Sequence, residues 1–384
     1  MTVLEIIIDG LGITHTTIPH IIMILLAIGL GYLAIVKNYE PLLLMPIAFG
    51  MLLANIPLTG LSAHDEGGLI YYLYQGVKLG LYPPLIFLCI GCLTDFGPLI
   101  ASPSSAFIGI GGQLGIFVAM GLAYFGGPLL AYVIPGFDGF TFFESATVGI
   151  IGSADGPTSI YTAIRLAPEL LPSVAIAAYS YMALVPMIQP PLMKLLTTKK
   201  ERVIVMPKQH EVTKKQKVLF PICITLFTLF LVPAAAPLIS MLMLGNLIRE
   251  CGAVDRYIHT LHNDFLNILT LLIGLCIGST ATAAGMLNTR TLIILALGLI
   301  AFAFGTIGGI LMAKILCLAT GGKVNPLIGN SGVSAMPMAA RVSQKMGQMY
   351  NKKNHLVMHA MGPMVSSVLG SALFSGILIT IVQH

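Results

Sequence analysis

Apolar residues in this chain come in long unbroken runs, not in the alternation of a strand or the stripe of a surface helix. Runs at 19–36, 41–58, 104–125, 170–196, 218–245, 265–287, 291–318 and 355–382, with a shorter one at 82–100, approach the length of a membrane-crossing helix. Two further stretches, 141–165 and 324–346, are apolar at their flanks and broken in the middle by Gly, Pro and polar residues. The pattern predicts an all-α polytopic membrane protein. It should have about nine full transmembrane helices plus two interrupted or re-entrant segments. Residues 59–81 and 126–140 read as connections, and 246–264 as an interfacial segment. Residues 1–18 read as an interfacial N-terminal segment; they hold Glu5 and Asp9 but no Lys or Arg, unlike a secretory leader.

Composition agrees with the pattern. Of 384 residues, 56% are apolar and 9% charged, where a soluble domain carries about 25% charged residues. The 41 Gly and 23 Pro suit close helix contacts and broken helices. Charge is concentrated in one place. Residues 197–217 hold Lys199, Lys200, Arg202, Lys208, Lys214, Lys215 and Lys217 against Glu201 and Glu211, which equals the whole net charge of +5. Such a loop marks the cytoplasmic side and divides the chain into membrane halves 19–196 and 218–384. An acidic partner is a second reading of the loop, and nothing points to nucleic acid. Cys89 and Cys92 form a C-x-x-C inside an apolar run, without a second pair or a histidine cluster, so they read as packing residues.

The stretch Gly149-Ile150-Ile151-Gly152-Ser153-Ala154-Asp155-Gly156-Pro157-Thr158-Ser159 carries the most chemistry. Gly and Pro break helices, and a carboxylate in hydrocarbon is costly unless it faces a cavity or a cation. A broken helix that holds an ion is the reading; a solvent-exposed loop is the plainer alternative. A second stretch resembles it. Ile328-Gly329-Asn330-Ser331-Gly332 lies against Ile151-Gly152-Ser153-Ala154-Asp155, and the stretches end in Arg341 and Arg165. Upstream, Ala284-Gly285-Met286-Leu287 matches Phe96-Gly97-Pro98-Leu99. Paired interruptions at corresponding places in two halves point to two inverted repeats, with a site between them at the midplane.

A hard cation such as sodium takes oxygen ligands. The two stretches offer Asp155, Ser153, Thr158, Asn325, Asn330, Ser331 and Ser334, with freed carbonyls near Gly152 and Gly329. Asp155 is the single acid among them and can neutralise a cation or carry a proton. Arg341 matches a substrate carboxylate through its fork, or snorkels to the interface. Tyr181 can offer a phenol to the cavity or simply pack. Asp95 reads as a helix-end cap, and His355 and His359, one turn apart, as interfacial.

The first stretch, Tyr181 through Pro191 (Y-M-A-L-V-P-M-I-Q-P-P) and Asn325 through Arg341 (N-P-L-I-G-N-S-G-V-S-A-M-P-M-A-A-R) resemble the beta subunit of sodium-pumping biotin-dependent decarboxylases. Those complexes act on oxaloacetate, methylmalonyl-CoA, glutaconyl-CoA or malonate. The resemblance extends over most of the chain, through Thr94 to Pro98, Gly245 to Gly252 and His359 to Pro363. It implies a subunit of the bacterial or archaeal plasma membrane that decarboxylates carboxybiotin, consumes a proton and exports sodium. The implied partners are a carboxyltransferase subunit, a biotin carrier subunit, a small membrane anchor subunit and further copies of the chain in a trimer, within membrane lipid. The chain has no Met-Lys-Met biotin site of its own.

By motif match, Asp155, Tyr181, Asn325, Gly329, Ser334 and Arg341 fall on the family's functional positions. Asp155, Asn325 and Ser334 are then expected to bind sodium. Tyr181 and Arg341 are expected at the carboxybiotin end, a second ion site or proton delivery. One position departs: after Gly362-Pro363 the family has an Asn, and this chain has Met364, a poor ligand for a hard cation. Ser366, Ser367 or Asn330 are the candidates to replace it. The short chain favours a CoA-ester enzyme. The rival reading is a secondary transporter coupling sodium to a carboxylate on a similar scaffold, and a weaker one is a channel.

Overall fold

The computed structural model describes residues 9–38, 40–135 and 137–383, so most of the expected N-terminal segment 1–18 lies outside the described residues. Among the described residues there is no strand. The helices are α1 (Ile18–Ile35), α2 (Pro41–Ala54), α3 (Leu69–Lys78), α4 (Tyr82–Leu93), α5 (Ala106–Gly112), α6 (Leu114–Val133), α7 (Phe142–Gly149) and α8 (Gly156–Leu166). They continue as α9 (Leu171–Leu196), α10 (Lys214–Leu231), α11 (Ala236–Cys251), α12 (Leu266–Thr280), α13 (Thr289–Ala319), α14 (Met338–Tyr350) and α15 (Val357–Gln383).

Six helical stretches are long and apolar enough to cross a membrane, or up to eight if each of two bent pairs is one span. The chain is a multi-pass membrane protein. The sequence-based expectation of about nine is not met by this measure: α2 has 14 residues, and α10 carries Lys214, Lys215 and Lys217 in its first turn.

Four local expectations change. The connection 59–81 contains α3, an amphipathic helix that meets α4 at a bend of 70°. Helix α6 runs eight residues into the expected loop 126–140 and stops at Ile134, held extended before Pro135. The run 218–245 is two helices, α10 and α11. Pro233 forces Val232 out of the helical region (φ −137°, ψ 80°) and cannot donate a helical hydrogen bond. The expected interfacial segment 246–264 is largely helical; α11 reaches Cys251, and Asp255–Thr280 forms one continuous stretch.

The halves pack through matched crossings. Helix α2 lies on α12, and α4 on α11. At the first crossing a Cβ on Gly50 would stand 2.3 Å from the Leu275 carbonyl oxygen, and one on Gly278 2.1 Å from that of Ile47. At the second, Gly91 meets the Leu242 carbonyl at 1.9 Å and Gly245 that of Leu88 at 2.0 Å. Only glycine lets the backbones approach so closely. Each crossing is tied by a buried amide. Asn55 donates to the Ala281 carbonyl (2.7 Å) and Asn246 to that of Thr94 (2.9 Å), each where the partner helix ends.

Long helices set the two ends apart. Arg290 opens α13 and pairs with Glu144 of α7, while Lys314, near its other end, donates to the Leu196 carbonyl beside the basic loop. The first broken stretch, α7 to α8, begins at the Arg290 end. The second, Asn325 through α14, begins and ends at the basic end. Asn325 donates to the Ile204 carbonyl (2.8 Å), and Arg202 donates to the Tyr350 hydroxyl (2.8 Å). The tips meet between the ends, where the Ser334 amide donates to the Ser153 carbonyl (2.9 Å).

Candidate functional site: a buried carboxylate where two broken helices meet

The first tip forms because its residues cannot continue a helix. Helix α7 starts on a capping box of Thr141 and Glu144 and tightens into a 3-10 turn, Ile150–Ser153. Ala154 then takes the left-handed conformation (φ 55°), strained for a residue with a Cβ, and Pro157 starts α8. This places Asp155 at the N-cap of α8, where the helix dipole favours its negative charge. Gly152 lets the tip in: a Cβ there would lie 2.5 Å from the Gly115 backbone of α6.

Asp155 is 4% exposed and has no ion-pair partner among the described residues. One carboxylate oxygen accepts from the Thr158 hydroxyl (2.7 Å) and the Ser371 hydroxyl of α15 (2.8 Å), and the other from the Thr158 amide (3.3 Å). Ser334 shares a hydroxyl hydrogen bond with Ser367 (3.0 Å), one turn before Ser371. One turn beyond, Ser375 meets the Thr162 hydroxyl (2.7 Å). A buried serine stripe on α15 thus links the second tip, Asp155 and α8. The oxygens are carboxylate and hydroxyl, the set a small hard cation accepts.

Of the residues expected from sequence, Asp155, Thr158, Ser334 and the Ser153 carbonyl come together here. The Ser153 hydroxyl is spent on the Ile150 carbonyl (2.8 Å). Asn325 is not brought to Asp155. Its oxygen caps the Leu327 amide and its nitrogen holds the Arg202 and Ile204 carbonyls of the basic loop. Asn330 belongs to a separate buried network. It donates to Gln189 (2.9 Å) and the Ala339 carbonyl (2.9 Å) and accepts from Ser343. Gly329 serves close packing, since a Cβ there would lie 2.5 Å from Ile310 Cα on α13.

Tyr181 turns from the carboxylate: its hydroxyl donates to the Leu295 carbonyl and its ring covers Gly298. Tyr179, two residues earlier, packs its ring against Gly156, next to Asp155. Met364 is buried in an apolar cluster with Ala154 and Val333, so it fills space near the tip. Of the candidates to replace the missing amide, Ser367 reaches Ser334, whereas Ser366 bonds the Ala106 carbonyl. The sequence reading overlooked Ser371, Ser375, Thr162, Gln113 and Tyr179. The spacing Ser367-x-x-x-Ser371-x-x-x-Ser375 within an apolar helix was the available signal.

Openings lie at the basic end. A cavity of about 500 Å³ is lined by Asp95, Lys208, Lys217, Lys353, His355 and His359. Burial opposes ionisation of Asp95, but the Gly97 amide (2.8 Å) and Lys217 (3.0 Å) outweigh it and hold the carboxyl below its usual range. A groove of about 420 Å³ carries the exposed Arg341 with Gln344, Lys345 and Val357. Glu40 feels the Arg341 charge, though burial is the stronger influence and raises its carboxyl.

A match to the family described as Na+-transporting oxaloacetate decarboxylase beta subunit spans residues 19–382. The chain is 49% identical to the methylmalonyl-CoA decarboxylase subunit beta of Veillonella parvula, covering 98% of this chain and 97% of that one. It is 48% identical to the glutaconyl-CoA decarboxylase subunit beta of Acidaminococcus fermentans (98% and 96% covered) and 42% to the oxaloacetate decarboxylase beta chain 2 of Salmonella typhi (99% of each). With one buried carboxylate at the junction of two broken helices and this similarity along nearly its whole length, the chain belongs to the family of Na+-transporting decarboxylase beta subunits.

Proposed function

We propose that this chain is the membrane subunit of a sodium-pumping, biotin-dependent decarboxylase in a bacterial plasma membrane. It decarboxylates carboxybiotin presented by a carrier subunit, consumes a proton and exports sodium. The carrying observation is Asp155, a buried carboxylate that among the described residues accepts from two hydroxyls and one amide, at the meeting point of two broken helices that enter from opposite ends. Such a group can be neutralised by sodium or by a proton, but not comfortably by neither. Exchange of one for the other couples the chemistry to transport.

The matched crossings and oppositely entering tips favour two inverted repeats. In this reading α2 and α10 are further crossings despite their length and charge. Asp155, Thr158, Ser334 and Ser371 serve the ion. Arg341, exposed at the basic end, offers its fork to the carboxylate of carboxybiotin. Tyr181 supports the site by fixing α9 to α13. Asn325 and Asn330 hold the second tip in shape. The partners are a carboxyltransferase, the biotin carrier and a small membrane anchor, around a trimer of this chain. Identity of 47–49% to subunits named for CoA-ester substrates, against 42% for oxaloacetate chains, favours a CoA-ester complex.

The test is turnover of carrier-bound carboxybiotin by the purified complex in inverted vesicles, with and without sodium. Sodium-stimulated decarboxylation with sodium uptake is the expected result. Sodium flux that follows an added carboxylate solute, without decarboxylation, would overturn it.

A further inference from the structure

Gln113 sits in the short break between α5 and α6, flanked by the glycines that admit both tips. A Cβ on Gly112 would stand 1.7 Å from the Gly332 carbonyl oxygen, and one on Gly115 3.0 Å from that of Gly152. The side chain is 7% exposed. Its nitrogen donates to the Ser367 hydroxyl (3.0 Å) and to the main-chain carbonyls of Ser367 and Gly109 (3.3 Å each). Carbonyls cannot donate, so these contacts fix which end of the planar amide is nitrogen. The other end, Oε1, is buried and has no hydrogen-bond partner among the described residues.

A buried amide oxygen without a donor is costly, and a native structure supplies such a group with a partner. The Ser367 hydroxyl that meets Gln113 also meets Ser334, and Ser371, one turn on, meets Asp155. We infer that the Gln113 side-chain oxygen is a ligand of the sodium ion that Asp155 serves, an inference that rests on the pumping function proposed above. An amide oxygen is a good ligand for a hard cation, and a bound ion would satisfy its lone pairs. Because α5 and α6 support both tips, Gln113 also makes ion occupancy sensible to the packing of the two stretches against them.

The experiment uses the intact complex with Gln113→Leu, which keeps the volume and removes the amide, and Gln113→Glu, which keeps an oxygen. Two quantities are read: the sodium concentration for half-maximal decarboxylation, and equilibrium binding of radioactive sodium without turnover. Loss of a ligand-shell group costs on the order of tenfold in metal affinity. The expected result is a shift of about that size in both readouts for Gln113→Leu, with the rate recovered at saturating sodium, and near-normal affinity for Gln113→Glu. Unchanged sodium affinity in an assembled Gln113→Leu complex overturns the inference, as does an equal loss of rate in both variants with binding intact. If Gln113→Leu fails to assemble, Gln113→Met, which keeps the length and removes the amide, is read instead: weakened sodium binding in the assembled complex supports a ligand oxygen, and unchanged binding overturns it. Absence of sodium-stimulated turnover in the unaltered complex would instead remove the pumping function itself.

Discussion

The two broken stretches are built alike and equipped differently. Both are admitted by glycines on the long helices, both contain a 3-10 turn, and both turn back to the end from which they came. The first holds Asp155, whose carboxylate accepts from side chains of α8 and α15. The second holds no acid. Its amides are used to brace it, Asn325 to the basic loop and Asn330 to Gln189 and Ser343, while Ser334 alone reaches toward the first tip. The two stretches are thus alike in backbone and unlike in side chains. One stretch carries the buried acid; the other presents a hydroxyl, Ser334, beside it.

The sharpest way to break this contrast is Asp155→Asn. It removes the one acid of the junction, and sodium affinity should fall on the order of a hundredfold or more, measured by sodium-stimulated decarboxylation. Ser334→Ala, on the opposing tip, should cost only about tenfold in the same assay. Equal effects would end the division of labour. The shared backbone is tested next. Gly152→Ala and Gly329→Ala each drive a Cβ to 2.5 Å from backbone, and each should destabilise by about 1–3 kcal/mol in thermal unfolding of the detergent-solubilised complex.

Bracing of the second tip is probed by Asn330→Ala. It takes the donor from the Gln189 side-chain oxygen and one acceptor from the Ser343 hydroxyl, which keeps the Leu327 and Ala339 carbonyls, and should cost about 1–3 kcal/mol while half-saturating sodium stays unchanged. A shift in sodium affinity there would return Asn330 to the ion site. At the basic end, Lys217→Met should destabilise the protein near neutral pH and lose its effect in acid. Asp95 has a depressed folded pKa, so its stabilisation is present above the ordinary carboxylate range and disappears as pH falls through the lower folded value. A pH-independent effect would mean that Lys217 acts by packing. The smallest effect is expected from Ala154→Gly. It relieves a left-handed residue at the first tip and should stabilise by about 1 kcal/mol or less.

Much of this was legible in the chain itself. The apolar runs gave the membrane class because no soluble domain can bury so many uncharged residues, and Gly, Pro and Asp at 149–159 marked the break because no apolar helix tolerates them together. Corresponding interruptions in two halves pointed to a shared site for the same reason.

Tertiary structure decided which candidates share it. Asn325 and Ser334 stand nine positions apart in one motif, yet one faces the basic loop and the other meets Ser367, one helical turn from the serine that bonds the carboxylate. Tyr179 and Tyr181, two apart on a helix, point to different neighbours, Gly156 and Gly298. Ser371 and Gln113 lie 216 and 42 positions from Asp155 in the chain, and only close glycine packing gathers their helices around it. Local composition dictates where a helix must break, because that cost is paid residue by residue. Which oxygens then surround the break depends on how distant helices cross, and no local pattern encodes that.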